Sequence, residues 1–361
     1  MKKLLKLKPR GKFFFGGSRT FADGRQSYYA HSEYFPQQTA LLGMLRFSLL
    51  KLHEALDKTS EDKEAIIGTD FDGENLKDFK HIKGISPVFI LENQTSWFPV
   101  GKDHQYYKDK NDSKNKVYTY LKYDGIANKP EISGFDPKEN LLMRLAPYAN
   151  NYPNGVLSKD YDHFFKTVST VGNKKNDEND SGRTNKGLQE AFYKDDKLIF
   201  CTKKGTYKSP FAFGIWVDCE DDLSKIGSVF LGREAVFDTE VIDSQSSIFD
   251  DIEVKNNDFT EASKCKIILL SNTYVEDLEA LRKNADFILA GDAVPFLYIK
   301  SPDDKKSFFN MPNNNQRRSV QTYLLERGTV IYPKNLNEIK KILDNQAFRQ
   351  IGYNYYSIQS R

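Results

Sequence analysis

Apolar residues follow two rhythms along the chain, and the switches between them mark its elements. Leu4 to Phe15 reads as a strand whose apolar end, Phe13 to Phe15, stops at Gly16-Gly17. Beyond a polar loop, Leu41, Leu42, Leu45, Leu49 and Leu52 recur at spacings of three and four, which predicts a helix over Gln37–His53 packed on a core. Leu56 to about Gly84 is polar, with Thr59 to Lys63 read as a solvated loop. Ile85 to Leu91 has strand length, and Ser86-Pro87 favours an edge or a strand start. Tyr118 to Tyr123 alternates like an exposed strand, and Leu141 to Leu145 reads as a short helical turn.

Asn173 to Lys186 is almost without apolar residues and is expected to be mobile, because it buries nothing to offset its ordering entropy. Leu198–Lys203 and Ser209–Val217 flank Lys203-Lys204-Gly205 and read as a protruding hairpin. Asp221–Ile226 suits a short helix, and Ser228–Ile242 a long strand interrupted by Gly232-Arg233, where a glycine marks a bulge or a close approach. The remaining pattern predicts strand Cys265–Ser271, helix Val275–Asn284, strand Phe287–Ile299, strand Val320–Tyr332, helix Leu336–Gln346 and strand Ile351–Ile358.

Both halves therefore run strand, helix, strand, strand, helix, strand, the ferredoxin-like order. The expected class is α+β, with two tandem ferredoxin-like (RRM-like) domains. The first covers residues 1–245 with an insertion over about 57–208; the second covers 260–361. A length of 361 residues supports two cores, and 39% hydrophobic with 13% aromatic residues is ample to fill them.

Charge and cysteine usage narrow the class. The net charge is only +3, from 53 basic and 50 acidic residues, but arginines gather near glycine-bearing loops while acids cluster at 177–180, 218–222 and 250–253. That separation fits a basic groove on a near-neutral protein. No apolar run approaches the roughly 20 residues that cross a bilayer, and the basic start lacks a secretion signal, so a cytoplasmic protein without membrane partners is expected. Cys201, Cys219 and Cys265 are an odd number with no Cys-x-x-Cys spacing, which argues against a disulfide frame or a structural zinc. They read as reduced, half-buried strand residues.

The chain is organised around Phe13 to Leu50. A loop tied to core elements at both ends carries Arg19, Arg25, Tyr28, Tyr29 and His31, where guanidinium groups and stacking rings can grip a flat aromatic or anionic ligand. Of the tyrosine pair, alternation sends one ring to a ligand and the other to the core. Arg46 on the following helix, Gly232-Arg233, Arg183 and Lys186 of the polar insert, and Arg317-Arg318 between two late strands complete the basic candidates. Arg46 has a competing reading, pairing with Glu54 or a core carbonyl.

Ser18-Arg19-Thr20-Phe21 after a first strand, Phe35-Pro36 before a helix bearing Leu41-Leu42-Gly43-Met44-Leu45-Arg46, and Leu231-Gly232-Arg233-Glu234 on a late strand resemble the RAMP superfamily of CRISPR proteins. More narrowly, they resemble the third RAMP subunit of the type III-B Cmr effector complex. Arg327 to Tyr332 and Ile351 to Asn354 carry the resemblance into the second half. The late-strand motif departs from the family in having Gly232-Arg233-Glu234 where two adjacent glycines usually precede Glu-Arg.

The resemblance implies a non-catalytic scaffold in antiviral defence that holds the 5′ handle of the guide RNA (crRNA) and meets target RNA indirectly. It also implies docking to a large polymerase-like subunit and to a backbone RAMP subunit, without cofactor or metal. Arginines would neutralise phosphates, and aromatic faces would stack unpaired bases, each stack contributing roughly 1 to 3 kcal/mol. The abundance of rings, 26 Phe and 20 Tyr, nominates Trp97-Phe98, Tyr106-Tyr107 and Phe308-Phe309 as partner anchors.

Some relatives cut guide precursors, so a metal-independent endoribonuclease is the alternative. The five histidines are dispersed in sequence, and only His31 lies in a basic loop suited to RNA cleavage. Asp70-Phe71-Asp72-Gly73 reads as a turn rather than a metal site, and no phosphate-binding Gly-x-x-x-x-Gly-Lys-Ser/Thr loop is present.

Overall fold

The computed structural model describes residues 2–16, 28–108, 116–124, 129–131, 144–148, 157–173, 192–202, 209–233, 235–244, 246–298 and 319–361. The N-terminal half contributes β1 (Lys2–Pro9), β2 (Tyr28–His31), α1 (Gln38–Leu52), α2 (Ser60–Ile67), β3 (Ile82–Ile85), β4 (Phe89–Glu92) and β5 (Thr95–Pro99). After them come β6 (Arg144–Pro147), β7 (Phe165–Asn173), β8 (Phe192–Phe200), β9 (Phe211–Cys219), β10 (Val236–Asp243) and α3 (Ile248–Asn256). The C-terminal part adds β11 (Cys265–Leu269), α4 (Leu278–Asn284), β12 (Ala285–Leu289), β13 (Val330–Pro333), α5 (Leu336–Leu343) and β14 (Tyr356–Ser360).

The alternation read in the first strand becomes a two-faced sheet. In β1, Leu5 and Leu7 are buried opposite Ile215 and Phe213 of β9, whereas Lys6 and Lys8 of the other face pair with Glu240 of β10 at 2.9 and 2.7 Å. The main sheet runs in the order β6, β5, β4, β9, β1, β10, then the edge strand Ser228–Phe230, with β3 also pairing to β9. Helix α1 lays Leu41, Leu42, Leu45 and Leu49 into the core on the Leu5/Leu7 side. Phe13, Phe15, Phe165, Phe200, Phe213 and Phe237 form one aromatic cluster there, Phe13 lying 5.1–6.3 Å from each of the other five rings.

The C-terminal part forms a four-stranded antiparallel sheet in the order β12, β13, β11, β14. Ile267, Ile331 and Ile358 on one face pack against Leu336, Ile339 and Leu343 of α5. The opposite face is filled as well: Ile268, Leu289, Val330 and Tyr332 meet Leu121, a residue from the N-terminal half.

Several local expectations are corrected. Thr59 to Lys63 is the start of α2: the Thr59 hydroxyl accepts from the Asp62 amide, a cap the polar composition concealed. Leu141–Leu145 is expected to turn helically, yet Arg144–Pro147 is a strand beside β5. The apolar runs around 203–208 belong to different sheets, because β8 pairs with β7 while β9 pairs with β1. Ser228–Ile242 is a hairpin rather than an interrupted strand: Ser228–Phe230 pairs antiparallel with β10. Gly232 sits at the turn with φ +74°, a left-handed value that favours glycine. Phe287–Ile299 and Val320–Tyr332 each split into two strands, and α3, capped by a Ser247/Asp250 box, is an element the hydrophobic rhythm does not predict.

Candidate nucleic-acid interface

The loop that follows Phe13–Phe15 has a tightly tied neck. Phe13 exchanges two backbone hydrogen bonds of 2.9 Å with Leu198 of β8. The Phe15 amide donates to the Ser32 hydroxyl at 2.9 Å, the Glu33 amide donates to the Phe15 carbonyl at 2.9 Å, and Gly16 bridges to Ser32. Gly16 and Ser32 are thus tied together, with the rings of Phe13 and Phe15 buried beside them.

Gly232 and Arg233 meet that neck from the far end of the sequence. The Arg233 amide donates to the Phe14 carbonyl at 3.0 Å, and a Cβ on Gly232 would stand 2.4 Å from the same oxygen. Only a glycine brings the two segments this close. The Arg233 guanidinium reaches Asp195 at 3.1 Å and stays 55% exposed, while the Asp195 carboxylate is 9% exposed. Next to it, β2 runs parallel to β8, with Ala30 opposite Asp195 and His31 opposite Asp196. The exposed His31 ring lies 3.4 Å from the Asp196 carboxylate, which also accepts from Ser169 at 2.6 Å. Two buried carboxylates therefore orient an arginine and a histidine at the surface. A guanidinium held this way presents its remaining N–H groups to a phosphate without first losing rotamer freedom.

Some expected residues stand elsewhere. Arg46 bonds to Asp70 at 2.6 Å and to the carbonyl of buried Gly68 at 3.1 Å, so it ties α1 to the end of α2; of its competing reading the core carbonyl is found, and the carboxylate is Asp70 rather than Glu54. Trp97 and Phe98, expected as contact anchors, are buried at 7% and 1% exposure, Phe98 stacking on Phe89 at 5.1 Å and meeting Phe249 at 5.4 Å. Both rings of this pair are spent inside. The exposed large aromatics among the described residues are Phe47, Phe230 and Tyr323, which sequence reading passed over. Tyr28, Tyr29, Tyr106 and Tyr107 lie on described strands, but the positions of their rings, like Arg19, Arg25, Arg183, Lys186, Phe308, Phe309, Arg317 and Arg318 altogether, fall outside the described residues.

The second-half motifs turn inward. Arg327 is buried, its guanidinium 4.2 Å from the Phe35 ring centroid and 3.3 Å from the Val88 carbonyl. Burial lowers its pKa from the ordinary arginine value. Gly352, at φ +88°, leaves no room for a side chain, because a Cβ would overlap Gln38 Nε2 at 1.7 Å. The Tyr353 hydroxyl accepts from the Gln38 amide at 3.2 Å, at the start of α1. Sheet surfaces of this kind often bind RNA, but this second sheet has its open face occupied. Asp103 is buried over it, paired with Lys266 and accepting from Tyr332 at 3.1 Å. Burial alone would raise the Asp103 pKa, but the Lys266 charge and the bonds from Lys266 and Tyr332 bring it below the usual range. Burial also pushes His104 beside it down to about 4.

The cysteines carry no disulfide; Cys219 and Cys265 are fully buried, and burial raises their pKa values. Among the described residues no helix is long and apolar enough to cross a membrane.

The model of a CRISPR-associated protein family, Cas_Cmr3, matches residues 5–359. No curated protein matches the chain. A chain in the cryo-EM structure of a type III-B Cmr-beta complex bound to cognate target RNA and AMPPnP is similar, with TM-score 0.51 and 13% identity, covering 98% of this chain and 95% of that one. A chain of the complex bound to cognate target RNA gives 0.48 at 14% identity, covering 98% and 95%. A chain of the Csm3–Csm4 subcomplex of a type III-A interference complex gives 0.37 at 11%, covering 91% and 92%. The likeness at 0.51 speaks for a shared fold.

Proposed function

This chain belongs to the CRISPR-associated Cas_Cmr3 family of type III-B antiviral systems, and from that premise we propose that it is a scaffold subunit gripping the 5′ handle of the guide RNA without cutting it. The observation that carries the proposal is the tie between Phe13–Gly16 and Leu198, Ser32 and Glu33, where Gly232 brings Arg233 against Phe14, Arg233 stays exposed on Asp195, and His31 pairs with the neighbouring Asp196. Phosphates would meet Arg233 and the arginines expected in the loop, Arg19 and Arg25, while Tyr28 or Tyr29 would stack on an unpaired base. Both halves read best as ferredoxin-like. In the N-terminal sheet, β10, β1, β9 and β4 lie in the same relative order as β14, β11, β13 and β12.

The domain limits, residues 1–245 and 260–361, belong to the same proposal, as do a large polymerase-like subunit and a backbone RAMP subunit as neighbours. Scaffold action rather than catalysis belongs to the same proposal: the exposed His31 ring is oriented by the Asp196 carboxylate at 3.4 Å and would meet a phosphate. The deciding experiment incubates the full chain with labelled repeat RNA in chelator. Binding without cleavage, weakened by Arg233→Ala and not by Arg46→Ala, supports the proposal. Cleavage that disappears on His31→Ala overturns it in favour of a metal-independent endoribonuclease.

A further inference from the structure

Three residues distant in sequence converge at the C-terminal end of α1. The Asp221 carboxylate, just beyond β9, holds His53 Nε2 at 3.0 Å with one oxygen and His81 Nδ1 at 2.7 Å with the other. The imidazole rings stand edge to face, centroids 5.1 Å apart, and one donor atom from each of the three residues lies within 4.8 Å of the others. Their side chains are 32%, 29% and 15% exposed, so the cluster is sheltered yet reachable from water.

We propose that His53, His81 and Asp221 form a binding site for a divalent transition-metal ion of the zinc class, and that the ion clamps the C-terminal end of α1 to the approach to β3 and the exit of β9. Two imidazoles and one carboxylate are the donor set that favours such ions over magnesium or calcium, whose sites are built from oxygen. Three protein ligands leave a fourth position for water or for a group from a partner.

The geometry is close to loaded. With bonds of about 2.0–2.2 Å, donors around a tetrahedral zinc stand about 3.3 Å apart. The nitrogens now face different oxygens of the carboxylate at 3.0 and 2.7 Å, so binding through one oxygen needs the carboxylate to turn, these separations to open by about 0.3 to 0.6 Å, and the imidazoles to draw together. Each nitrogen that now faces the carboxylate would turn its lone pair to the ion, so the metal replaces two hydrogen bonds rather than filling a void.

Surrounding charges bear on affinity from both sides. Lys3 opposes a cation: its Nζ donates to the Asp221 carbonyl at 2.8 Å and stands 4.0 Å from Asp222. Glu220 and Asp222 flank Asp221 and favour one, although Glu220 is paired with Lys83 at 3.0 Å and Asp222 accepts from Ser224. The local balance is near neutral, and the three ligands carry the selectivity.

The test uses the full chain and the metal alone. One equivalent of Zn2+ should bind and raise the melting temperature by a few degrees, and Co2+ should give the strong visible absorption of a four- or five-coordinate ion. His53→Gln, His81→Gln and Asp221→Asn should each lose the cobalt band, whereas His163→Gln should keep it. Because each ligand also ties the fold together, the wild-type chain supplies an independent reading. In spectra of the chain labelled at histidine, zinc should move the ring signals of His53 and His81 and leave the other three in place. No stoichiometric binding, or binding that leaves those two signals unmoved, overturns the proposal. This site is independent of the RNA-binding proposal and stands or falls separately.

Discussion

Two glycine–arginine pairs, Gly232-Arg233 and Arg327-Gly328, look alike on paper and end in opposite places. Both glycines adopt left-handed backbone, φ +74° and +81°. Gly232 lets a hairpin turn press on the Phe14 carbonyl, and its arginine remains 55% exposed. Gly328 sits in a turn whose carbonyl accepts from Lys102, and its arginine is buried beneath Phe35 at 7% exposure. The dipeptide specifies a tight turn; the neighbours decide whether the guanidinium is offered to a ligand or consumed in joining two halves of the chain. An exposed guanidinium contributes little to stability, whereas removing a buried one leaves its former partners and cavity uncompensated.

The sharpest way to break the comparison is to remove each arginine in turn. Arg327→Ala should lower unfolding free energy by about 3–4 kcal/mol. Urea denaturation checks this, and the salt dependence of RNA binding by the folded fraction should not change. A loss below about 1 kcal/mol would mean that Arg327 is no clamp.

The buried side of the comparison also carries a pH signature. His104 titrates in the folded chain at about 4, below its ordinary 6.5. Between those values the unfolded chain binds a proton that the folded chain refuses, so stability is full above about 6.5 and falls as the solution is acidified toward 4. The loss over that window is about 3 kcal/mol, with the depressed carboxyl of Asp103 adding a loss of the same sign at still lower pH. His104→Gln should flatten the profile in thermal melts from pH 7 to 4; an unaltered slope would assign the acid sensitivity elsewhere.

Smaller effects are expected at the neck. Gly232→Ala introduces a strained φ and a contact with the Phe14 carbonyl, and should cost about 2 kcal/mol while also weakening RNA binding through the displaced turn. Arg233→Ala should move stability by no more than about 0.5 kcal/mol, yet reduce the salt slope of RNA affinity by about 0.7. A stability loss matching that of Arg327→Ala would erase the distinction between the two pairs.

Local rhythm in the sequence determined the elements whose burial is one-sided and continuous. Leu41, Leu42, Leu45 and Leu49 specified α1 within one residue at each end, and the strand–helix–strand order of the C-terminal part followed from equally plain alternation. Gly232 was legible as a place where backbone approaches something closely. Elements resting on caps rather than apolar spacing, α2 with Thr59 and α3 with Ser247, escaped notice because a cap is a single hydrogen bond with no periodic signature.

Only the tertiary structure decided where long-range partners meet. Five histidines scattered through the chain gave no hint that His53 and His81 share Asp221, since a pair of imidazoles 28 residues apart meets only through the packing of α1 beside β3 and β9. The same holds for the rings: composition promised a surplus of Phe and Tyr, but whether Phe98 faces a partner or Phe249 depends on which side of the sheet α3 covers. Sequence sets the turn, the strand and the helix because these obey contacts a few residues apart. The fate of a charge or a ring is set by what the fold brings to it, and that is a property of the assembled chain.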